Sequence, residues 1–146
     1  MQTFLPYGSN FSRSAASLDN KRLGKQRVEN LQILGCLAGG QTTGWKNHPA
    51  VRMWKGYECT LFRYQMAICQ AWTRKGYKDT CLTKSFKIMQ DCPQWANQPD
   101  PWWLEHAFTE KKIMLSHRSN LIRKLPGVYQ PYWPNIPDDL PYYWPV

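Results

Sequence analysis

Residues 18–29 read LDNKRLGKQRVE and bring together side chains that could do acid–base chemistry and bind phosphate. The carboxylates of Asp19 and Glu29 could donate or accept protons. Guanidinium and ammonium groups bind phosphate oxygens through charge-assisted hydrogen bonds. The cations expected to do so are Arg22, Lys25 and Arg27. The stretch therefore predicts either a site for a phosphate-bearing ligand or a set of ion pairs within the protein.

The same stretch has the apolar spacing of a helix. At about 100° per residue, Leu23, Leu31 and Leu34 share one arc, which we expect to face the core. Four polar side chains fall on or beside that arc, namely Asp19, Gln26, Arg27 and Asn30. Because an unpaired buried charge costs several kcal/mol, these groups must pair with one another, with neighbouring helices or with a ligand. If the partner is a ligand, Asp19, Gln26 and Glu29 are the candidate catalytic residues.

Two further clusters are candidates for contact with nucleic acid. Asn47 and His48 precede Pro49 at a predicted helix start, where backbone N–H groups favour an anion. Aromatic faces for base stacking are expected from Trp45, Trp54 and Tyr57. The end of the last apolar stretch carries His117, Arg118, Ser119, Arg123 and Lys124. Each cluster alone is also typical of a helix cap or a solvated helix face, but together they favour nucleic-acid binding.

The composition favours the same partner. Lys and Arg number 19 against 10 Asp and Glu, so the formal charge of +9 suits nucleic acid or an anionic membrane surface. No run approaches the roughly 20 apolar residues of a membrane span, and the first residues lack a signal-peptide pattern, so we expect a cytoplasmic protein. Five cysteines without a CxxC pair and three histidines without an HxxxH pair predict neither a metal site nor another cofactor.

The elements that must position these residues are three main helices, at about residues 12–40, 49–76 and 101–125. No alternating strand pattern is present. In the second helix, apolar residues recur every three or four positions, at Trp54, Tyr57, Leu61, Tyr64, Ile68 and Trp72. Gly24 lies inside the first helix, where glycine costs about 1 kcal/mol relative to alanine and can mark a close approach.

The remaining segments are less regular. A short helix is expected at TKSFKIMQ, within a mostly irregular connection. The face of the third helix is predicted from Leu104, Phe108, Leu115, Ile122 and Leu125. Residues 126–146 combine many prolines with many aromatic residues, which predicts an extended C-terminal strap packed on the helices. We therefore expect an all-α fold in which residues 1–146 form one compact domain.

The chain resembles the pyrimidine-dimer DNA glycosylase family, which is endonuclease V-like, and in particular its bacterial and phage branch. The likeness rests on MQTFLPY, LDNKRLGKQRVENLQIL, GWKNHPAVRMWKGYE, WTRKGYKDT, SHRSNLIRKLPGVYQPYWP and DDLPYYWP. It implies an all-α fold whose N-terminus threads between helices near the active site. It also implies excision of a damaged or modified pyrimidine from double-stranded DNA by base flipping, with or without AP-lyase cleavage of the strand.

The resemblance implies an N-terminal α-amine as the nucleophile. Such amines titrate at about pH 8, so a neutral fraction is available to attack C1′ of the sugar and form a Schiff base. The family removes its first Met to expose Thr. Here Gln2 follows Met1, and because a bulky second residue blocks that removal, we expect Met1 to be retained and its amine to act.

The family also implies a catalytic carboxylate on the first helix. Its position, three residues before the Arg of an RV pair, is Gly24 in this chain, whereas Arg27 matches the Arg. Asp19 and Glu29 lie about one turn to either side, and we favour Asp19 because it falls on the inward arc. Two alternatives remain for this branch. A water activated by Asp19 could replace the α-amine as the nucleophile, or the substrate could be a modified pyrimidine other than the dimer.

The alternative from another class is a non-catalytic module that binds damaged or distorted DNA through the same basic and aromatic surface. In either case we expect a monomer that binds double-stranded DNA and no membrane.

Overall fold

The computed structural model describes residues 1–40 and 43–146, and its regular structure there is all-α, as predicted. The α-helices are α1 Phe11–Ser17, α2 Asn20–Leu37, α3 Pro49–Arg52, α4 Glu58–Arg74, α5 Cys81–Asp91, α6 Trp102–Glu105, α7 Ala107–Lys124 and α8 Pro126–Tyr129. Short 3-10 turns cover Thr43–Trp45 and Pro93–Trp95. None of the helices in the described ranges has the length and apolar character needed to cross a bilayer.

Each of the three predicted main helices is interrupted once. The first breaks at Leu18, which is extended, and Asp19 then accepts a hydrogen bond from the N–H of Arg22 as the cap of α2. The second breaks at a turn in which Gly56 has a φ of +88°, a conformation that glycine adopts without strain. The third breaks at His106, whose backbone is extended. The predicted short helix at residues 83–90 is confirmed as α5.

The core lies between α2, α4 and α5, with α1 packed on α4. The predicted face of the second helix is confirmed, since Trp54, Leu61, Tyr64 and Ile68 are fully buried. The prediction for the third helix is wrong at Phe108, which is 64% exposed. The break at His106 explains this result, because α7 begins there with a new rotational phase.

The N-terminal segment, residues 1–7, has no strand partner within the described residues and is held by side chains from several helices instead. The N–H of Phe4 donates to Gln26 of α2, and the N–H of Leu5 donates to Nδ1 of His117 of α7. The hydroxyl of Tyr64 on α4 donates to the carbonyl of Phe4 at 2.5 Å. The start of the chain therefore lies among α2, α4 and α7.

The C-terminal strap packs on the helices, although its first residues form α8. Side chains of α7 bind the backbone of the strap. Ser119 accepts from the N–H of Leu140 at 2.9 Å, and Ser116 accepts from the N–H of Tyr143 at 3.2 Å. These contacts bring the strap alongside the N-terminal segment, where Tyr142 contacts Phe4 with ring centroids 6.3 Å apart.

Candidate active site

A cavity of about 290 Å³ lies where the N-terminal segment meets α2. It is lined by Met1, Gln2, Phe4, Lys21, Arg22, Lys25, Gln26, Glu29, Lys124 and Tyr142. Its lining combines four cations with one carboxylate, and it draws on both ends of the chain as well as on α2 and α7. The cavity can therefore hold an anionic ligand while presenting the start of the chain to it.

Gln26 and Glu29 fix the first peptide units of the chain against α2. The side chain of Gln26 donates to the carbonyl of Gln2 at 2.7 Å and accepts from the N–H of Phe4 at 3.0 Å. Glu29 Oε2 accepts from the N–H of Gln2 at 3.1 Å. The Glu29 carboxylate therefore lies at the first peptide bond, next to the residue that carries the α-amine.

A chain of buried amides holds Gln26 in place. Its Nε2 also donates to Asn30 Oδ1 at 2.9 Å, and Asn30 Nδ2 donates to Gln65 Oε1 at 2.9 Å. Gln65 Nε2 then donates to the hydroxyl of Ser85 at 3.1 Å. The polar residues on the apolar arc of α2 thus form a network across α2, α4 and α5, and the same helix lines the cavity. The structure therefore confirms the internal network that the sequence allowed, while a ligand at the cavity stays a prediction.

His48 lies close enough to the N-terminal amine and to Glu29 for their charges to shift its pKa. Burial lowers its pKa first, the positive charge of the N-terminal amine lowers it further, and Glu29 partly opposes both. Its Nδ1 caps α3 by accepting from the N–H of Ala50, so its Nε2 carries the proton of the neutral ring. The ring of His48 also packs edge-on against Trp45 and Trp144.

A model of the pyrimidine dimer DNA glycosylase family matches residues 1–85, more than half of the chain. The chain belongs to the pyrimidine dimer DNA glycosylase family. Its class of activity is therefore that of a DNA-repair glycosylase. Neither the curated proteins nor the solved structures gave a match. The matched range contains Met1, Gln26 and Glu29, whereas Lys124 and Tyr142 of the same cavity lie beyond it.

Asp19, the favoured carboxylate of the sequence analysis, does not line the glycosylase cavity. Its Oδ1 accepts from the hydroxyl of Tyr129 at 2.5 Å, and its Oδ2 accepts from Arg22 at 3.2 Å. Burial raises the pKa of Asp19, but these hydrogen bonds outweigh burial and leave the pKa below its usual value. Asp19 is therefore an ionised helix cap that joins α2 to α8.

Arg27 also points away from the cavity of the glycosylase. Its Nη1 lies 2.5 Å from Asp79 Oδ1, and its guanidinium stacks over the ring of Trp72. Gly24 packs against the same ring, and a Cβ added there would lie 3.0 Å from Trp72. The predicted close approach at Gly24 is thus confirmed, and it comes from the protein itself. Arg22 and Lys25 are the cations of the opening stretch that line the cavity, together with Lys21.

The aromatic residues predicted to stack on a base lie in different environments. Trp54 is fully buried against Trp103 and donates to the hydroxyl of Thr3 at 3.1 Å. Tyr57 is half-buried at the start of α4, and Trp45 is 40% exposed beside His48. Asn47 is exposed in the turn before His48. The candidate cavity takes its aromatic lining from Phe4 and Tyr142 instead.

Most of the predicted residues of α7 hold the termini of the glycosylase in place. His117 is buried and accepts from the N–H of Leu5 at 2.8 Å. Arg118 donates to the carbonyl of Pro6 at 2.7 Å, and Arg123 donates to the carbonyl of Asp138 at 3.0 Å. Ser119 binds the strap, as described above. Lys124 is the member of this cluster that lines the cavity.

Sequence reasoning missed Gln2, Phe4, Lys21 and Tyr142 as lining residues of the cavity. Burial raises the pKa of Tyr142 to about 12, so its hydroxyl stays protonated and can donate a hydrogen bond. The motif DDLPYYWP marked this region of the strap, but nothing local indicated which aromatic residue faces the start of the chain. Within the described residues, no group of three His, Cys, Asp or Glu side chains could hold a metal ion.

Proposed function

We propose that this DNA glycosylase excises a damaged pyrimidine that has flipped out of duplex DNA into the cavity beside Met1, and that it then cleaves the abasic strand. One observation carries the proposal, namely that the first residue and the Glu29 carboxylate share a cavity with four cations. Cations suit the phosphates that flank a flipped nucleotide. The cavity is also close to the lower end of known ligand pockets, about 300 Å³, which suits a single base.

In this mechanism the α-amine of Met1 is the nucleophile. Its nitrogen forms a bond to C1′ while the bond from C1′ to the base breaks, and the electron pair leaves with the base. The nitrogen then loses a proton, the bond from C1′ to the ring oxygen breaks as that oxygen takes up a proton, and an imine joins Met1 to the sugar. Loss of a proton from C2′ expels the 3′ phosphate, and water hydrolyses the imine. The attack needs the neutral amine, and the nitrogen must lose a proton after it has bonded to C1′, so the reaction needs a nearby proton acceptor.

Glu29 is the residue proposed for that role. Its carboxylate lies at the first peptide bond and is only 13% exposed, so it can accept a proton from the amine and stabilise positive charge on the sugar. Glu29 also pairs with Lys25 at 3.8 Å, but it lines the cavity with Met1, whereas Asp19 does not, so we propose Glu29 in place of Asp19. Gln26 is a positioning residue, because it binds the backbone on both sides of Thr3 and so orients the chain end.

Borohydride trapping on a duplex with one abasic site tests the nucleophile. The wild-type protein should become covalently linked to the DNA when the imine is reduced. A variant with two residues added before Met1 should not, because its amine is displaced from the cavity. Intact-mass measurement of both proteins establishes the first residue, since the proposal requires Met1 at the mature terminus.

Two results would overturn this proposal. Trapping of the extended variant at the wild-type rate would assign the nucleophile to another group. Tight binding to damaged DNA without excision of any base would favour a non-catalytic binding module.

A further inference from the structure

Gln2 carries a polar atom that no described residue satisfies. Its N–H donates to Glu29, its carbonyl accepts from Gln26, and its Oε1 accepts from the N–H of Thr3 at 2.8 Å. Its Nε2 has no hydrogen-bond partner within residues 1–40 and 43–146, although the residue is only 4% exposed. A buried donor without an acceptor costs about 1–3 kcal/mol, so this position indicates an acceptor that arrives from outside the chain.

The cavity is where such an acceptor can arrive. Gln2 lines it between Met1 and Phe4, directly after the residue whose amine we propose as the nucleophile. The hydrogen bond from the N–H of Thr3 to Oε1 fixes the orientation of the Gln2 side-chain amide, and with it the position of Nε2. Nε2 is shielded from solvent in the free protein, so a ligand can reach it only from within the cavity that Gln2 lines.

The chemistry of base excision creates an acceptor close to the attacked sugar carbon. When the bond between C1′ and N1 of a pyrimidine breaks, the electron pair leaves with the base and spreads over N1 and O2. O2 is attached to the carbon next to N1, so it departs from beside the sugar. A donor placed at an oxygen where charge develops is worth about 10²–10³-fold in rate. Every pyrimidine carries this oxygen, whatever its damage at C5 and C6.

We propose that Nε2 of Gln2 donates a hydrogen bond to O2 of the departing pyrimidine. This inference rests on the proposed function, because it requires that a pyrimidine leaves from a sugar held beside Met1. Gln2 transfers no proton in this role, and the base takes its proton from water. The hydrogen bond strengthens as charge builds on O2, so it lowers the barrier to excision more than it tightens binding.

Two variants with side chains of similar length remove the donor. Gln2→Glu keeps an oxygen that can accept from Thr3, and Gln2→Met removes both polar atoms. Agreement between them separates loss of the donor from the added charge of Glu. Both keep a bulky residue after Met1, so intact mass should show the same first residue as in the wild type.

Two reactions are measured for each protein. One is single-turnover excision from a duplex oligonucleotide with one cyclobutane pyrimidine dimer, and the other is borohydride trapping on a preformed abasic site. We expect excision to slow by about 10²-fold in both variants, as for the loss of one donor to a developing oxyanion. Trapping should stay within about twofold of wild type, because no base departs from an abasic site and this donor then has no role.

Thr3→Val is the matched control. It removes the hydroxyl that accepts from Trp54 in the same segment but leaves the Gln2 amide intact. It should slow excision and trapping by the same factor, if it slows them at all.

Equal losses in both reactions for the Gln2 variants would mean that Gln2 only supports the fold and would overturn the inference, as would unchanged excision. If the wild type excises the dimer but is not trapped, the Schiff-base part of the proposed function fails. The excision rates still decide the role of Gln2 in that case.

Discussion

Glu29, near the middle of α2, accepts a hydrogen bond from the first peptide N–H of the chain, whereas Asp19, at the start of that helix, accepts from Tyr129 and Arg22. The change from carboxylate to amide at each position therefore tests which one does chemistry. Glu29→Gln should lower the rate of base excision by about 10²-fold or more, the usual size of an acid–base contribution. Single-turnover excision from dimer-containing duplex DNA measures this.

Asp19→Asn is the matched comparison. Asparagine still caps a helix and can still accept from Tyr129, so excision should stay within about threefold of wild type. The opposite ranking of the two variants would restore Asp19 as the catalytic carboxylate and remove Glu29 from the proposal.

His117 makes stability depend on pH. Burial lowers its pKa to about 3, whereas an unfolded histidine titrates at about 6.5. Between these values the unfolded chain binds a proton that the folded protein does not, so the free energy of unfolding falls as pH falls below about 6.5. The contribution of His117 is fully present above that pH and decreases toward about pH 3.

His117→Asn should remove that dependence while keeping an acceptor for the N–H of Leu5. Its unfolding free energy from pH 6.5 to 4.5 should fall less steeply than that of wild type, by up to about 1.4 kcal/mol per pH unit. Urea unfolding followed by circular dichroism at several pH values gives both slopes. Parallel curves for the two proteins would show that His117 does not set this dependence.

The roles of single residues were predictable where the signal was local. The sequence marked α2 as a helix with polar groups on its inner face, and it named Gln26 and Glu29 together with Asp19. It could not rank the two carboxylates, because their partners come from residues 2 and 129, which are brought in by the tertiary fold. The role of Gln2 could not be predicted for the same reason, because only the folded structure shows that its Nε2 has no hydrogen-bond acceptor among the described residues.

At the level of elements, α2 contains two glycines in contrasting surroundings. A Cβ at Gly24 would lie 3.0 Å from the ring of Trp72, whereas a Cβ at Gly35 would lie 4.0 Å from Ile88, an ordinary contact. Gly35→Ala should therefore raise the free energy of unfolding by about 0.5–1 kcal/mol through helix propensity alone. Gly24→Ala should lower it by about 1 kcal/mol, because overpacking outweighs the same gain.

Denaturant melts of the two alanine variants give the comparison. The Gly24 variant should also change the fluorescence of Trp72, whose ring contacts the Arg27 guanidinium and stacks on Tyr77. A higher free energy of unfolding for both variants would contradict this prediction, because it would show that the Trp72 ring moves aside without loss of stability.

The breaks between helices had only partial signals. Asp19 and Gly56 are a cap residue and a turn residue, so the first two breaks were within reach of sequence rules. The break at His106 has no such signal, and missing it placed Phe108 on the wrong face. Periodicity identified which stretches are helical, but it could not locate the points where tertiary packing turns one stretch into two helices.

At the scale of the whole molecule, the formal charge is +9, and four of the 19 Lys and Arg side chains line the candidate cavity. Lys21 comes from α2 and Lys124 from the end of α7, and both are exposed. Lys84 and Lys111 are also exposed but do not line the cavity, and Lys111 lies about 20 Å from Lys124 along α7. The two pairs carry the same charge, so a comparison of variants at each pair separates the effect of position at the cavity from the effect of net charge.

Binding of duplex DNA should weaken steeply as salt rises, because each phosphate contact releases a counterion. Replacing Lys21 and Lys124 together with Gln should lower the slope of log K against log salt by about 1.8, if each contacts one phosphate. The same replacement at Lys84 and Lys111 should leave the slope within about 0.5 of the wild-type value. Fluorescence anisotropy in a Glu29→Gln background, in which excision is slowed, measures all three slopes at salt concentrations from about 50 to 200 mM. If both double variants lower the slope equally, net charge alone attracts the DNA. That result would contradict a specific role of the cavity lysines in binding the duplex.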